Sequence, residues 1–224
     1  MAKLVFVVGK SGHGKSTSMM NLNPESTVII NSDSKDLPFP GAHKKYTEDE
    51  NIFHTSNVPE IVKVLQKANS NPKVKSVVLD TWSRTMTDAV MDPKFRANSG
   101  YEKWATYSGN QYDLIGIVNK NMRKDIIVYF MAHPEIIFDE MGRQVYRVQT
   151  QGKQLDAFVP ESFSTVVLYT EVVDNPGKVP DFHFRTVTRG NDTCKAPLGM
   201  FDKDLIPNDL KIVEGAIRKY TGIE

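Results

Sequence analysis

The sequence predicts an α/β fold: a mostly parallel sheet flanked by helices, with a β-hairpin and antiparallel C-terminal strands. Three observations support this prediction. Apolar runs of strand length alternate with segments of helical period in the first part of the chain. Those runs lack the polar alternation of a half-exposed strand, as expected for parallel strands buried on both faces. After residue 133 the pattern changes to alternation around turn residues, which favours antiparallel pairing.

Length and composition limit the class of protein. The chain has 224 residues, 40% hydrophobic and 25% charged, so we expect one domain over residues 1–224. Its 28 lysines and arginines balance 27 acidic residues, so any nucleic-acid contact must come from a local patch. The single Cys194 excludes an internal disulfide. No signal-peptide pattern or membrane-length apolar run is present, which predicts a soluble, cytoplasmic protein.

A phosphate-binding motif directly follows the first apolar run, residues 4–8. Residues 9–16 read GKSGHGKS and match G-x-x-x-x-G-K-[ST], the P-loop. Its glycines let backbone N–H groups surround an anion, Lys15 adds a mobile charge, and a helix predicted over residues 15–22 directs its positive end inward. The Ser16 hydroxyl suits a phosphate-bound Mg²⁺. The predicted nucleotide-binding residues are Gly9, Lys10, Ser11, Gly12, His13, Gly14, Lys15, Ser16 and Thr17.

Two later strands are predicted to place polar side chains beside this loop. Residues 74–81 form an apolar strand that reaches Asp80 near its end, and residues 125–132 form another that is followed by His133. In an open α/β sheet, ligands bind at the carboxyl ends of the strands. Asp80 is therefore predicted to bind Mg²⁺, with a structural cap as the alternative. His133 is predicted to contact a γ-phosphate, with a structural histidine as the alternative.

The intervening segments give weaker signals. Residues 26–30 predict a second buried strand, residues 34–56 a surface loop, residues 57–70 a helix capped by Asn57, and residues 83–124 a largely helical region. Tyr101, Trp104 and Tyr107 share one side of that region if it is helical. Packing is the favoured interpretation of these aromatic side chains. A base-stacking platform, helped by Lys94, Arg96 and Lys103, is the alternative.

A hairpin is predicted immediately after His133. Residues 136–138 and 145–148 flank a turn that contains Gly142, and the hairpin carries Arg143 and Arg147, with Lys153 beyond it. A short helix, two antiparallel strands over residues 164–173 and 182–188, and a terminal helix after Asn208 complete the prediction.

The order of these motifs resembles that of the RecA-type core ATPases. The resemblance is closest to the core-only members found in bacteriophages, grouped with single-strand annealing and recombination proteins. It is carried by residues 9–16, by residues 30–33 (INSD) and by residues 77–81 (VVLDT). The resemblance implies a RecA-like P-loop NTPase fold with ATP and Mg²⁺ as ligands. It identifies Asp80 with the Walker B aspartate and His133 with the family's γ-phosphate sensor.

The resemblance also assigns a catalytic base and a finger that acts in a neighbouring protomer. Asp33 stands where the family has a glutamate that activates water, and the shorter side chain departs from that pattern. Arg189 and Lys195 are the candidates for a basic finger that reaches the neighbour's ATP site. A homo-oligomer is accordingly expected.

The implied activity is DNA-dependent ATP hydrolysis in recombination, annealing or replication of a phage within its bacterial host. Arg143, Arg147 and Lys153 are the predicted contacts to the phosphate backbone of single-stranded DNA. A solvated hairpin without a DNA role remains open. A single-strand-binding protein is an expected partner, and no membrane contact is expected. The alternatives are an ATP-gated binding module with little hydrolysis and a small P-loop kinase.

Overall fold

The computed structural model describes residues 3–156 and 158–223. The strands are β1 (Lys3–Val8), β2 (Thr27–Asn31), β3 (Ile52–Phe53), β4 (Ser76–Asp80), β5 (Ile127–Ala132), β6 (Pro134–Phe138), β7 (Gln144–Val148), β8 (Val166–Val173), β9 (Asp181–Arg185) and β10 (Leu205–Pro207). The α-helices are α1 (Ala42–Lys45), α2 (Val58–Ser70), α3 (Trp82–Met91), α4 (Pro93–Ala97), α5 (Glu102–Asn121), α6 (Lys153–Asp156) and α7 (Leu210–Thr221). Short 3-10 helices cover Ser16–Met19 and Pro160–Phe163.

The main sheet brings the P-loop strand and the two polar-ended strands together. Within the described residues its order is β10-β9-β8-β1-β5-β4-β2-β3. The pairs from β8 to β3 are parallel, and β9 and β10 add antiparallel strands at one side. Phe130 of β5 lies opposite Phe6 of β1 and opposite Leu79 of β4. The carboxyl ends of β1, β5 and β4 are therefore neighbours, and the predicted mostly parallel α/β fold is confirmed.

Both faces of the sheet are covered, which explains the uninterrupted apolar runs. Side chains of β1 alternate between the faces. Leu4, Phe6 and Val8 belong to an apolar cluster with residues of α2, α3 and α5. Val5 and Val7 belong to a second cluster with residues of α7 and of the 3-10 helix Ser16–Met19. All of these β1 residues are buried, so both faces of the strand take apolar side chains.

The helix predicted over residues 15–22 is wrong in extent. Only the 3-10 helix Ser16–Met19 forms there, with i→i+3 hydrogen bonds from the Met20 amide to the Thr17 carbonyl (3.1 Å) and from the Leu22 amide to the Met19 carbonyl (3.0 Å). Pro24 follows Asn23, and the residue before a proline is disfavoured in helical conformation. The loop therefore lacks a long helix whose dipole would strengthen anion binding.

The larger helical predictions agree with the structure. The Asn57 side chain accepts a hydrogen bond of 3.2 Å from the Glu60 amide and starts α2. The predicted region over residues 83–124 is divided into α3, α4 and α5, with Asp92 capping α4 and Pro93 as its first residue. The loop predicted over residues 34–56 is only partly correct, because α1 and β3 form within it.

The terminal helix α7 docks on the sheet as predicted. Its Glu214 is 5% exposed and forms ion pairs with Lys211 (2.9 Å) and Arg218 (3.0 Å). Glu214 also accepts a hydrogen bond of 3.2 Å from the Ser76 hydroxyl at the start of β4. In the described part of the chain, none of the helices has the length and hydrophobicity needed to cross a bilayer.

The predicted hairpin is formed by β6 and β7. Pro134 lies opposite Val148, and Phe138 lies opposite Gln144. The second strand is attached to the C-terminal part of the chain, because the Tyr146 amide donates to the Asn191 carbonyl (2.8 Å) and the Tyr169 hydroxyl donates to the Tyr146 carbonyl (3.1 Å). The hairpin therefore starts directly after the end of β5, and hydrogen bonds at Tyr146 hold its second strand in place.

Candidate functional site

A cavity of about 610 Å³ lies at the carboxyl ends of the parallel strands. It is lined by the P-loop and by Asp33, Asp80 and His133, which follow or end three different strands. The volume lies within the range of small-molecule sites. The lining among the described residues is Ser11, Gly12, Gly14, Lys15, Ser16, Thr17, Asn31, Asp33, Lys35, Asp36, Leu37, Pro38, Asp80, Thr81, His133, Phe182, Pro207 and Asn208.

Lys15 is folded back onto the main chain of its own loop. Its Nζ donates to the carbonyls of Gly9 (2.7 Å) and Lys10 (3.0 Å). Burial lowers the pKa of Lys15 to about 8, while the carboxylates of Asp80 and Asp33 oppose that change. Most of the ammonium is still charged at pH 7. The arrangement holds a cation at the centre of a loop rich in backbone donors, and this can attract a polyphosphate.

Two P-loop glycines are required by close packing against strands from the other end of the chain. A Cβ at Gly9 would lie 1.9 Å from the Thr170 Oγ1 on β8. A Cβ at Gly14, whose φ is +80°, would lie 2.4 Å from the Asn208 Nδ2. The Asn208 Nδ2 also donates to the His13 carbonyl (3.3 Å). The loop is therefore positioned by C-terminal residues that the motif itself does not reveal.

Asp80 and Ser16 form a pair of oxygen ligands suited to Mg²⁺. Asp80 is 5% exposed, and its Oδ1 has no hydrogen-bond partner among the described residues. Burial raises the pKa of Asp80 to about 6, an effect opposed by an interaction with the Ser16 hydroxyl and reinforced by Asp33. A buried carboxylate oxygen without a partner is costly, and a divalent cation would compensate that cost. The donor set fits Mg²⁺, which takes few protein ligands and completes its shell with phosphate oxygens and water.

Asp33 lines the same cavity as the P-loop, on the segment that follows β2. Its Oδ2 is 3.5 Å from the Lys35 Nζ. The segment is fixed to the end of β4, because the Ser32 amide donates to the Asp80 carbonyl (2.8 Å) and the Ser32 hydroxyl donates to the Thr81 carbonyl (2.6 Å). Asp33 is thus held near Asp80, and its side chain remains partly accessible to water.

His133 connects the cavity to the hairpin. Its backbone amide donates to the Ser83 Oγ (2.9 Å), and its carbonyl accepts from the Gln149 amide (2.8 Å). Burial and then the charge of Lys15 lower the pKa of His133, while a hydrogen bond to the Gly9 backbone opposes this change. The ring is therefore mainly neutral at pH 7, able to donate from one nitrogen and accept at the other.

One wall of the cavity was missed by the sequence analysis. Phe182, Pro207 and Asn208 come from β9, from β10 and from the residue after β10. On the other side, the loop after β2 adds Leu37 and Pro38. No motif marks Phe182, Pro207 or Asn208, because they are placed by the antiparallel extension and not by local spacing. The Pro-Asn pair before α7 indicated only the start of a helix.

The three basic residues predicted to contact DNA differ in exposure and in ion pairing. Arg143 is largely exposed and pairs with Asp139 (2.8 Å), whereas Arg147 is mostly buried and pairs with Glu135 (2.6 Å). Lys153 is exposed on α6. None of the three lines the P-loop cavity.

The two candidate fingers lie outside this cavity. Arg189 pairs with Glu171 (2.6 Å), and the backbone of Lys195 bridges to that of Val167 on β8. Both side chains are exposed. A residue that acts in a neighbouring protomer would not line its own cavity, so the choice between them stays a prediction.

The three aromatic residues Tyr101, Trp104 and Tyr107 differ in packing and in exposure. Trp104 and Tyr107 pack edge-on against each other and against Phe95, with ring centroids 4.9 to 6.0 Å apart. Tyr101 is 89% exposed. Packing therefore explains Trp104 and Tyr107, and Tyr101 is the most exposed of the three rings.

Comparisons with known proteins give limited information. No protein-family model matches the chain, and no curated protein matches it. Among solved structures, it is similar to a KaiC-like protein from the hyperthermophilic archaeon Pyrococcus horikoshii OT3. That match has 12% sequence identity and a TM-score of 0.48, and it covers 82% of this chain and 77% of the other. The fold assignment accordingly rests on the strand order and register described above.

Proposed function

We propose that this chain is an ATPase that binds ATP with Mg²⁺ and acts on single-stranded DNA. The observation that carries the first part is the convergence of Lys15, Ser16, Asp80, Asp33 and His133 on one cavity. These residue types, contributed by separate strands, match the needs of triphosphate binding and hydrolysis.

The P-loop would hold the β- and γ-phosphates. Lys15 exchanges its bonds to the Gly9 and Lys10 carbonyls for phosphate oxygens, and backbone N–H groups of the loop provide further donors. Ser16 and Asp80 would hold Mg²⁺, which when bound neutralises charge on the phosphate oxygens. Because Asp80 has an oxygen without a partner, the site has a ligand position ready for the ion or its water.

Asp33 would orient or deprotonate the attacking water. Its position near Asp80 suits a carboxylate that faces the terminal phosphate. Its pairing with Lys35 favours a second candidate function, an ATP-gated binding module with slow hydrolysis, since a carboxylate engaged by Lys35 is less free to orient an attacking water.

The DNA part of the proposal rests on the connection between His133 and the hairpin. The residue that would sense the γ-phosphate begins the link to β6, and its carbonyl binds the Gln149 amide where the hairpin returns. A change at the phosphate can therefore move the hairpin, from which Arg143, Arg147 and Lys153 would contact the DNA backbone.

The finer parts of the proposal follow the resemblance to core-only phage proteins of recombination or annealing. Self-association would allow Arg189 or Lys195 of one protomer to reach the ATP site of the next. A single-strand-binding protein would be a further partner on the same DNA.

The test is phosphate release measured against increasing single-stranded DNA, with assembly size followed in the same samples by light scattering. Mg²⁺-dependent ATP hydrolysis that DNA stimulates is the expected result, and Lys15→Ala should abolish it. Turnover that requires a small-molecule acceptor would favour a kinase, and binding without turnover would favour the ATP-gated module. Full activity in Lys15→Ala would rule out this site.

A further inference from the structure

The cavity has two chemically different sides. The P-loop follows β1, which lies between β5 and β8 in the sheet. On the β5 side, β4, β5 and the segment after β2 supply Asp80, His133 and Asp33. On the β8 side, the antiparallel strands supply Phe182, Pro207 and Asn208. The groups that suit phosphate and metal are therefore concentrated on one side of the loop, together with Leu37 and Pro38, and the other side carries the apolar Phe182 and Pro207 beside the amide of Asn208.

The side of the cavity formed by Phe182, Pro207 and Asn208 packs directly against the P-loop. A Cβ on Gly14 would lie 3.1 Å from the Phe182 Cδ1, so the ring directly adjoins the P-loop. The Asn208 amide donates to the Phe182 carbonyl (3.1 Å), and the Asn208 side chain donates to the His13 carbonyl (3.3 Å). Asn208 thus joins the aromatic wall and the loop in one fixed arrangement.

Phe182 is unusual for an aromatic residue of this sheet. Phe184, two residues further along β9 on the same face, is fully buried in the apolar core, whereas Phe182 is 36% exposed and lines the cavity. Its ring presents an apolar surface to the cavity beside Gly14 of the P-loop. Aromatic rings at such positions bind the face of a nucleobase well, because every base has a π-face.

We propose that Phe182 and Pro207 form the nucleoside subsite of this cavity, with Asn208 as the residue that positions it against the P-loop. The inference rests on the proposed nucleotide function and adds where the base and sugar bind. The ligand class is a nucleoside triphosphate whose phosphates lie toward Asp80 and whose base packs on the Phe182 ring. Binding then has two separable parts, a phosphate part from Lys15 and a nucleoside part from Phe182.

Isothermal titration calorimetry with two probes separates these parts: Mg²⁺–ATP and Mg²⁺–tripolyphosphate, which has the phosphates and no nucleoside. The wild-type chain should bind ATP about tenfold or more tightly than tripolyphosphate, the size expected for one stacked base. Phe182→Ala should remove most of that difference and leave tripolyphosphate binding unchanged. Phe182→Tyr, which keeps the ring, should restore ATP binding. Lys15→Ala should weaken both ligands.

Phe163→Ala is the matched control. Phe163 is 38% exposed, close to the value for Phe182, and it packs against Tyr112 and Phe158 away from the cavity. Its replacement should change neither affinity. Equal affinity of the wild-type chain for ATP and tripolyphosphate would overturn the nucleoside subsite while the phosphate site stands, as would unchanged ATP binding by Phe182→Ala. Binding of neither probe to the wild-type chain would overturn the subsite together with the proposed function.

Asn208 is tested through the same pair of probes. Asn208→Ala removes the hydrogen bond that ties the Phe182 side of the cavity to the His13 carbonyl. Positioning of the nucleoside subsite predicts weaker ATP binding, by about two- to tenfold for one lost hydrogen bond, with tripolyphosphate affinity unchanged. Asn21→Ala, which removes an exposed hydrogen bond to Asp209, is the control. Wild-type ATP affinity of Asn208→Ala, or an equal loss of affinity for both probes, would remove Asn208 from the proposal.

Discussion

The carbonyl of His133 accepts a hydrogen bond of 2.8 Å from the amide of Gln149. His133 lines the candidate nucleotide cavity, and Gln149 directly follows β7, the second strand of the hairpin. The two ends of the hairpin are therefore joined at the residue expected to contact the γ-phosphate. We propose that this bond carries a change at the phosphate to the hairpin.

Replacing the His133 side chain should separate ATP binding from the response to DNA. His133→Ala keeps both backbone hydrogen bonds, to Ser83 and to Gln149, and removes only the ring. We expect ATP affinity within about threefold of wild type and loss of most of the DNA stimulation of phosphate release. His43→Ala, on α1, is the control and should behave as wild type. DNA stimulation that survives in His133→Ala would contradict the sensor role.

The hairpin arginines should contribute unequally to DNA affinity. Arg143 is exposed, so Arg143→Ala should weaken single-stranded DNA binding and reduce the slope of log affinity against log salt by about one. Arg147→Ala leaves Glu135 without its ion-pair partner, so part of its effect should be a loss of stability. Fluorescence anisotropy at several salt concentrations measures the first effect, and urea unfolding measures the second.

The double variant Arg143→Ala with Arg147→Ala gives the decisive comparison for the hairpin. DNA affinity should fall while Mg²⁺–ATP affinity is unchanged, because neither arginine lines the cavity. Arg84→Ala, an exposed residue that pairs with Asp88, is the control. DNA binding that matches wild type in the double variant would remove the hairpin from the mechanism.

Replacing Asp80 by asparagine should stabilise the protein and at the same time remove metal binding. Its burial raises the pKa to about 6, so the ionised carboxylate is unfavourable in the protein without metal. Asp80→Asn should raise the free energy of unfolding at pH 7.5 by on the order of 1–3 kcal/mol and should abolish the Mg²⁺ dependence of ATP binding. Asp88→Asn, at a surface ion pair, should change stability by less than about 0.5 kcal/mol. Mg²⁺-dependent binding that persists in Asp80→Asn would exclude this carboxylate from the metal site.

The sequence predicted the parallel part of the fold and the groups on one side of the cavity. Buried strands and the P-loop have strong local patterns, and parallel pairing brings their carboxyl ends to one edge, so Lys15 and Asp80 could be placed together. The wall that contains Phe182 and Asn208 could not be predicted. It depends on how an antiparallel extension packs against Gly14, and β10 is too short to give a periodic signal.

The prediction of a helix after the P-loop was wrong for a similar physical reason. Apolar spacing over residues 15–22 was compatible with a helix, but Met19 and Leu22 are buried by tertiary packing within a 3-10 helix and the turn that follows it. Burial of these side chains does not require regular α-helix hydrogen bonding. Periodicity alone could not separate the two conformations.

Acid should weaken the anchor at the amino ends of β4 and β5. Asp125 binds Arg123 (3.0 Å) and Lys75 (3.1 Å), and its pKa is lowered to about 2, chiefly by hydrogen bonding to Arg123. Because the folded-state pKa lies below the ordinary value of 3.8, the stabilisation is complete above pH 4 and is lost as pH falls toward 2.

Asp125→Asn should therefore lower the free energy of unfolding at pH 7, by less than about 1 kcal/mol because Asp125 is only slightly buried. Urea unfolding of both proteins at pH 7 and at pH 2.5 measures the difference, which should shrink at the lower pH. A difference that is equal at both pH values would show that the Asp125 charge does not contribute.

The most direct test is a crystal structure of the chain with a non-hydrolysable ATP analogue and Mn²⁺, located by its anomalous signal. We expect Mn²⁺ within coordination distance of the Ser16 Oγ and within one water of the Asp80 carboxylate. We also expect the Lys15 Nζ to leave the Gly9 carbonyl for a phosphate oxygen, with His133 facing the γ-phosphate. A triphosphate bound away from the P-loop, or a metal ion remote from Asp80, would contradict the proposed site.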